Sequence, residues 1–187
     1  MAVRRAAPRR PPSPCSFLMT TDPDPDDPDS AGAADPPADR PLLHVVVTDG
    51  RGRPRPVDGL PDWLTRVAPR AARGDMALAL VGDAKMRALN RRFRGVDRPT
   101  DVLSFPAEAD NGRAEAGVRW LGDVVIATGV ARRQARARGC PVDVEYRRLA
   151  LHGLLHLLGY DHTCDGGRME RLERRLWRKG GMSGDVW

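Results

Sequence analysis

The chain lacks long hydrophobic segments and has only three cysteines. No run of about 20 apolar residues is present, so we expect no membrane span. Residues 15–19 are too few to form the apolar region of a signal peptide. The cysteines, Cys15, Cys140 and Cys164, show no paired spacing, which is typical of a reducing compartment. We therefore expect a cytoplasmic protein that has no contact with a membrane.

The first 41 residues have few of the large apolar side chains that a folded core requires. Ten of the 17 prolines lie there, among arginine, aspartate, alanine and serine residues. Such a segment cannot offset the entropy that is lost when a chain becomes ordered. We therefore predict a disordered tail over residues 1–41, a single domain over residues 42–179 and a loose C-terminus over residues 180–187.

Lysine is scarce, with two residues against 29 arginines. After subtraction of the tail's five arginines and seven aspartates, 26 basic and 18 acidic residues remain, a formal charge of +8. This balance favours a polyanionic partner such as nucleic acid. An excess of arginine over lysine also arises from genome composition, so charge alone does not decide the function.

Histidine is rare, yet three of the four histidines lie within one segment, H-G-L-L-H-L-L-G-Y-D-H, at residues 152–162. His152 and His156 are four residues apart, which places both imidazoles on one face of a helix. Gly159 permits the left-handed backbone that ends a helix, and the returning chain then brings His162 towards the other two. Three neutral imidazoles with a fourth position open to water are typical of a catalytic zinc site.

Other interpretations of these histidines remain open. A buried histidine often serves only as a hydrogen-bonded core residue, but the leucines around this pair offer no polar partners, which favours a metal. The spacing also matches metzincin peptidases, which carry a glutamate general base directly after the first histidine. Gly153 occupies that position here, so a peptidase would lack its proton acceptor. Cys164 is a candidate fourth ligand, which would close the site and indicate a structural metal.

Three segments in a fixed order resemble the YbeY family of bacterial endoribonucleases. They are R-G-V-D-R-P-T-D-V-L-S-F at residues 94–105, L-G-D-V-V-I at residues 121–126, and the histidine segment. The resemblance extends over roughly residues 42–179. It implies a metal-dependent, single-strand-specific endoribonuclease that matures ribosomal RNA, at the 3′ end of 16S rRNA, and takes part in ribosome biogenesis. The implied partners are single-stranded RNA, ribosomal RNA and the small ribosomal subunit.

The resemblance also assigns roles to individual residues. It implies metal ligands at His152, His156 and His162, with one Zn²⁺ as the expected ion and other divalent transition metals such as Ni²⁺ left open. It implies a catalytic, RNA-phosphate-binding role for Arg94, whose planar guanidinium pairs with two phosphate oxygens and keeps its charge. Ser104 is a further candidate substrate ligand, although such a serine more often satisfies neighbouring backbone.

Two alternatives to a nuclease stay open at this point. One is a metzincin-like metallopeptidase, and the other is a non-catalytic RNA-binding domain with a structural metal.

Apolar periodicity predicts the order strand, helix, strand, helix, two strands and three helices. This order is typical of an α+β domain in which a mixed sheet of about four strands packs against about five helices. We expect the metal-bearing helix to lie at its centre. Pro69 is expected to shorten the helix that begins at Leu60.

Several polar residues have two possible roles each. Asp83 and Thr128 are predicted to cap the helices that follow them. Asp123 is expected either to orient a ligand histidine or Arg94, or to cap a turn. Glu145 is expected either near the metal or in a surface ion pair with the arginine three residues later.

Overall fold

The computed structural model describes residues 43–107 and 119–184. This part of the chain forms four strands and five helices in the predicted order, which confirms the α+β class. They are β1 (Leu43–Asp49), α1 (Leu60–Val67), β2 (Gly74–Val81), α2 (Asp83–Arg94), β3 (Val102–Pro106), β4 (Trp120–Ala127), α3 (Thr128–Arg138), α4 (Val142–Leu157) and α5 (Arg168–Lys179). The predicted tail and the last three residues of the predicted loose C-terminus lie outside the described residues, and the domain limits stay predictions.

The four strands form one mixed sheet in the order β1-β2-β4-β3. β1 with β2 and β2 with β4 are parallel pairs, whereas β3 runs antiparallel to β4 and forms one edge. Parallel neighbours require crossover connections, and helices supply them between β1 and β2 and between β2 and β4. Strand β3, which carries part of the 94–105 segment, therefore has one neighbouring strand only, and its other edge is unpaired within the described residues.

The two faces of the sheet carry different helices. The main core lies between one face and helices α1, α4 and α5, with Leu78, Val124 and Ile126 supplied by the sheet. A smaller cluster lies on the other face, where Val125 and Leu103 pack against Met86 of α2. Because side chains alternate along a strand, neighbouring residues of β4 point to opposite faces of the sheet and pack in different clusters.

Of the five helices in the described residues, α4 is the most enclosed, as predicted. Ten of its 16 residues are buried, and Leu149, Leu151, Leu154 and Leu155 have almost no exposed surface. A helix with apolar side chains around most of its circumference is expected to be buried in this way. None of the helices within the described residues is long and apolar enough to cross a membrane.

The two predicted side-chain caps, Asp83 on α2 and Thr128 on α3, are absent. The carboxylate of Asp83, the first residue of α2, makes no cap of its own helix; it accepts hydrogen bonds from the Val130 amide at 3.2 Å and from Arg133 Nη2 at 2.8 Å. Thr128 makes no side-chain cap either, so both capping predictions are wrong. The reason is topological: β2 and β4 are parallel neighbours, so α2 and α3 begin side by side and Asp83 serves the other helix.

Candidate metal centre

The last turn of α4 and the turn after it bring the three predicted histidines together. The Nε2 atoms of His152 and His156 lie 3.1 Å apart. The helix ends before Gly159, which has a φ of +89°, and the chain turns so that the His162 ring lies 5.5 and 5.4 Å from the other two ring centres. One nitrogen from each ring lies within 4.8 Å of the others. The predicted convergence is therefore present.

The environment of His156 keeps its imidazole uncharged at neutral pH. Burial lowers the pKa of His156 to about 4, and the neighbouring rings of His152 and His162 add to the shift. A neutral ring is the form that binds a metal, because the ligand nitrogen must carry a free lone pair. His162 is exposed, whereas the other two rings are partly buried, so the group opens to solvent on the His162 side.

Three imidazoles around one point fit a transition-metal ion such as Zn²⁺. Within the described residues, no cysteine, aspartate or glutamate completes this group. Cys164 is exposed, and its Sγ lies 4.0 Å from the carbonyl oxygen of Asp161. Closure of the site by Cys164 is therefore not supported, and three protein ligands leave a position for water or a reactant. The ligand role of the histidines stays a prediction.

A buried carboxylate that the sequence analysis missed contacts the first histidine. Oε1 of Glu173 in α5 lies 3.2 Å from Nδ1 of His152, and the side chain of Glu173 is only 2% exposed. A proton held on Nδ1 by this carboxylate leaves the lone pair on Nε2, the atom that faces His156. The available signal was a glutamate at helical spacing from Met169, on the apolar side of the terminal helix.

Gly153, the residue after the first histidine, lies where the helix touches the sheet. A Cβ at this position would be 2.5 Å from Cγ1 of Val124 and 3.3 Å from the hydroxyl of Ser104. Real Cβ atoms are not found at the shorter of these distances, so even alanine requires a shift. Position 153 therefore faces the core rather than the histidines, and it has no room for the glutamate base of a metzincin-like peptidase.

Ser104 links edge strand β3 to the metal-bearing helix. Its hydroxyl donates a hydrogen bond to the Gly153 carbonyl oxygen at 3.2 Å. This is the backbone-satisfying role that such a serine often has. A role for Ser104 in substrate binding stays a prediction.

Arg94 does not belong to the histidine group. It is the last residue of α2, is exposed, and is followed by Gly95 with a left-handed φ of +72°. Helix α2 packs on the face of the sheet opposite to α4. Strand β3 connects the two regions. The Phe93 ring packs against the Phe105 ring, with ring centres 4.9 Å apart, and Ser104, the residue before Phe105, is hydrogen-bonded to α4.

The segment after Arg94 is held in place by its own polar residues. The side chain of Asn90, only 4% exposed, donates to the Arg98 carbonyl oxygen at 2.8 Å. Arg87 pairs with Asp97 through two hydrogen bonds of 2.9 and 2.6 Å. These hydrogen bonds hold together the backbone segment that leads from Arg94 into β3.

A polar network continues from this segment to α4. Asp101 accepts a hydrogen bond from Gln134 at 2.9 Å, and Gln134 in turn accepts one from Arg148 at 3.5 Å. Arg148 pairs with Glu145, and both side chains are buried, so the predicted ion pair is present but lies inside the protein. Glu145 also binds Arg138 at 3.0 Å.

Asp123 lies away from the histidines, and Asp161 fixes the turn that precedes His162. Asp123 is exposed on the face of the sheet away from α4, since its neighbour Val124 faces the main core. Orientation of a ligand histidine by Asp123 is therefore not supported. Asp161 accepts hydrogen bonds from the amide and hydroxyl of Thr163 at 3.0 and 2.8 Å, which lowers the pKa of its carboxyl and fixes the turn before His162.

A model of the family described as Endoribonuclease YbeY matches residues 62–181. A Gloeobacter violaceus protein named endoribonuclease YbeY is 45% identical over 122 residues, 64% of this chain and 62% of that protein. A Myxococcus xanthus protein of the same name is 47% identical over 113 residues, 59% of this chain and 38% of that protein.

The fold comparison gives the solution structure of TM1509 from Thermotoga maritima. It has a TM-score of 0.50 and 24% identity, over 74% of this chain and 89% of that chain. This likeness concerns the fold alone.

The chain spans less than two thirds of the length of the Gloeobacter relative, 62%. The family match itself covers more than half of the chain, and it includes residues 94–105 and the three histidines. The resemblance inferred from the three sequence segments is confirmed: the chain belongs to the endoribonuclease YbeY family.

Proposed function

We propose that this protein is a metal-dependent endoribonuclease that cleaves single-stranded RNA. We further propose that it acts in the cytoplasm on ribosomal RNA, at the 3′ end of 16S rRNA, with the small ribosomal subunit as partner. The observation that carries the proposal is the convergence of three imidazole nitrogens within 4.8 Å, with one side open to solvent. Membership of a family named for endoribonuclease activity supports the choice of RNA as substrate.

We propose Zn²⁺ as the ion, because three imidazoles and one open position are its common catalytic ligand set. Nickel and copper also accept imidazole ligands, so metal analysis has to identify the ion. When bound, such an ion polarises a phosphodiester oxygen or lowers the pKa of a water molecule at its open position.

The protein's own residues keep the histidine ligands in the metal-binding form, stabilise negative charge on the phosphate and attract the RNA. Burial keeps His156 neutral, and the carboxylate of Glu173 holds the proton of His152 on Nδ1, away from the site. Arg94 provides a permanent positive charge with a planar set of donors, which suits the negative charge that grows on phosphate oxygens during cleavage. The formal charge of +8 over residues 42–187 attracts the polyanionic substrate.

The test is RNA cleavage by the metal-loaded full chain. Single-stranded RNA and a duplex of the same sequence are incubated with the protein, with and without a chelator. We expect cleavage of the single strand only, and loss of cleavage after chelation. His156→Ala should lose both metal and activity, because a ligand is removed.

Arg94→Ala should keep the metal and the fold but cleave roughly 100-fold more slowly or worse, as expected for loss of a donor to developing charge. Arg132→Ala, an exposed arginine on α3, is the matched control and should cleave at the wild-type rate. Full activity in Arg94→Ala would remove this residue from the mechanism. RNA binding without cleavage by metal-replete protein would favour the non-catalytic alternative, and chelator-sensitive peptide cleavage would favour the peptidase.

A further inference from the structure

The aromatic ring of Phe93 is exposed beside Arg94. The side chain is 49% exposed, whereas the large apolar residues of the described part are mostly buried. The other large apolar side chains of this part with comparable exposure are Val46 and Val96. Single exposed apolar residues are ordinary on protein surfaces, so exposure alone does not indicate a site.

The charges around Phe93 distinguish it from an ordinary exposed residue. Residues 91–98 contain four exposed arginines, Arg91, Arg92, Arg94 and Arg98. The only acidic residue in this segment, Asp97, is already paired with Arg87 at 2.6 Å. Among the described residues, no carboxylate forms an ion pair with Arg94 or Arg98, so the ring lies in a strongly positive surface.

The ring is also held in a fixed orientation. It packs edge-to-face against Phe105, with ring centres 4.9 Å apart and an interplanar angle of 67°. The guanidinium carbon of Arg92 lies 5.2 Å from the ring centre, within the range of a cation–π contact. The hydrogen bond from Asn90 to the Arg98 carbonyl oxygen holds the backbone that follows the ring. A ligand that stacks on this ring therefore pays little entropy for ordering it.

We propose that Phe93 is a stacking platform for one unpaired nucleobase of the RNA substrate, with a flanking phosphate bound by Arg94. An exposed aromatic ring among arginines is the usual composition of single-strand-binding surfaces, because every base has a π-face and every nucleotide a phosphate. The proposal rests on the proposed nuclease function, and it gives a physical reason why the enzyme would prefer single-stranded to double-stranded RNA. Bases within a duplex are stacked on one another and cannot reach the ring.

The same surface does not suit an apolar protein partner. Four exposed arginines lie within five residues of Phe93 in the chain, so an apolar partner would have to desolvate several charges without neutralising them. A polyanion neutralises those charges while its bases cover the ring. The charge pattern thus favours RNA as the occupant.

Steady-state cleavage by the metal-loaded full chain tests the proposal. The variants are Phe93→Leu, which keeps an apolar contact with Phe105 but has no π-face, Phe93→Ala, and Phe93→Trp. On a single-stranded oligoribonucleotide we expect Phe93→Leu and Phe93→Ala to raise KM by roughly 5- to 100-fold, the usual effect of losing one stacked base. Phe93→Trp should restore a KM near that of the wild type. Val46→Ala, which removes exposed apolar surface on β1, is the control and should leave KM unchanged.

Abasic oligonucleotides identify the partner of the ring. An abasic nucleotide at the stacked position should raise the KM of the wild type to that of Phe93→Leu. The same nucleotide should not raise the KM of Phe93→Leu any further. An unchanged KM in Phe93→Leu, or a loss that is the same for every abasic position, would overturn the stacking proposal while chelator-sensitive cleavage by the wild type upholds the nuclease. Absence of cleavage by the wild-type protein would overturn both. Thermal melting of each variant shows that the protein remains folded.

Discussion

Replacement of Glu173 by glutamine tests whether a buried carboxylate prepares His152 for metal binding. Glutamine keeps the size and shape of the side chain, but it removes the charge and can present either its oxygen or its NH₂ group to the ring. The carboxylate is 2% exposed and lies 3.2 Å from Nδ1 of His152. We therefore expect Glu173→Gln to weaken metal binding while the metal-free protein keeps its fold.

The expected size of the effect follows from this single contact. Loss of a hydrogen-bonding partner of a metal-ligating histidine usually lowers metal affinity by about 10- to 100-fold. That range corresponds to about 1.4–2.7 kcal/mol, which agrees with one charge-assisted hydrogen bond. The metal-free protein should change by less than about 1 kcal/mol, because removing a buried charge also removes its desolvation cost.

Calorimetric titration of Zn²⁺ with a competing chelator measures the affinity, and thermal melting without metal measures the fold. Glu170→Gln is the matched control, since this glutamate lies on the exposed side of the same helix and pairs with Arg174. The reasoning is refuted if Glu173→Gln binds Zn²⁺ as tightly as the wild type. It is also refuted if the free energy of unfolding of the metal-free protein falls by as much as the free energy of Zn²⁺ binding.

Further predictions concern packing and pH. Gly153→Ala places a Cβ 2.5 Å from Cγ1 of Val124 and should cost about 1–3 kcal/mol of unfolding free energy in urea; unchanged stability would contradict the close approach of α4 to the sheet. Ser104→Ala should cost about 1 kcal/mol of unfolding free energy through loss of its hydrogen bond to Gly153; a KM for RNA that also rises supports the predicted role in substrate binding, and an unchanged KM contradicts it. The lowered pKa of His156, about 4 against 6.5, means that the unfolded chain binds a proton that the folded chain excludes. The metal-free protein should therefore lose up to about 3 kcal/mol of stability as the pH falls from about 6.5 to 4, and His156→Ala should remove this dependence in denaturant titrations at a series of pH values.

Local sequence patterns were sufficient to predict the elements of the fold. Strand β4 ends in four consecutive apolar residues, 124–127, without a helix-like period, and α1 ends at Val67, just before Pro69, as expected. The strand order could not be predicted, because it depends on which strands pair after the chain has folded. The role of Asp83 has the same origin, since the start of α3 lies beside it only in the assembled sheet.

The site was predictable where its residues are close in sequence. His152 and His156 share a helical face, and Gly159 provides the turn that returns His162 to them. Glu173 lies 21 residues from its partner, so its contact depends on how α5 packs against α4. The position of Arg94 was not predictable for the same reason: the sequence gives the end of α2 but not the face of the sheet on which α2 lies.

X-ray absorption spectroscopy at the zinc edge of the zinc-loaded full chain tests the central claim most directly. We expect one ion per chain with three imidazole nitrogens and one oxygen, all at about 2.0–2.1 Å. His156→Ala should lose most of this signal. A sulfur scatterer at about 2.3 Å, or fewer than three imidazoles around the ion, would contradict a three-histidine centre with an open position.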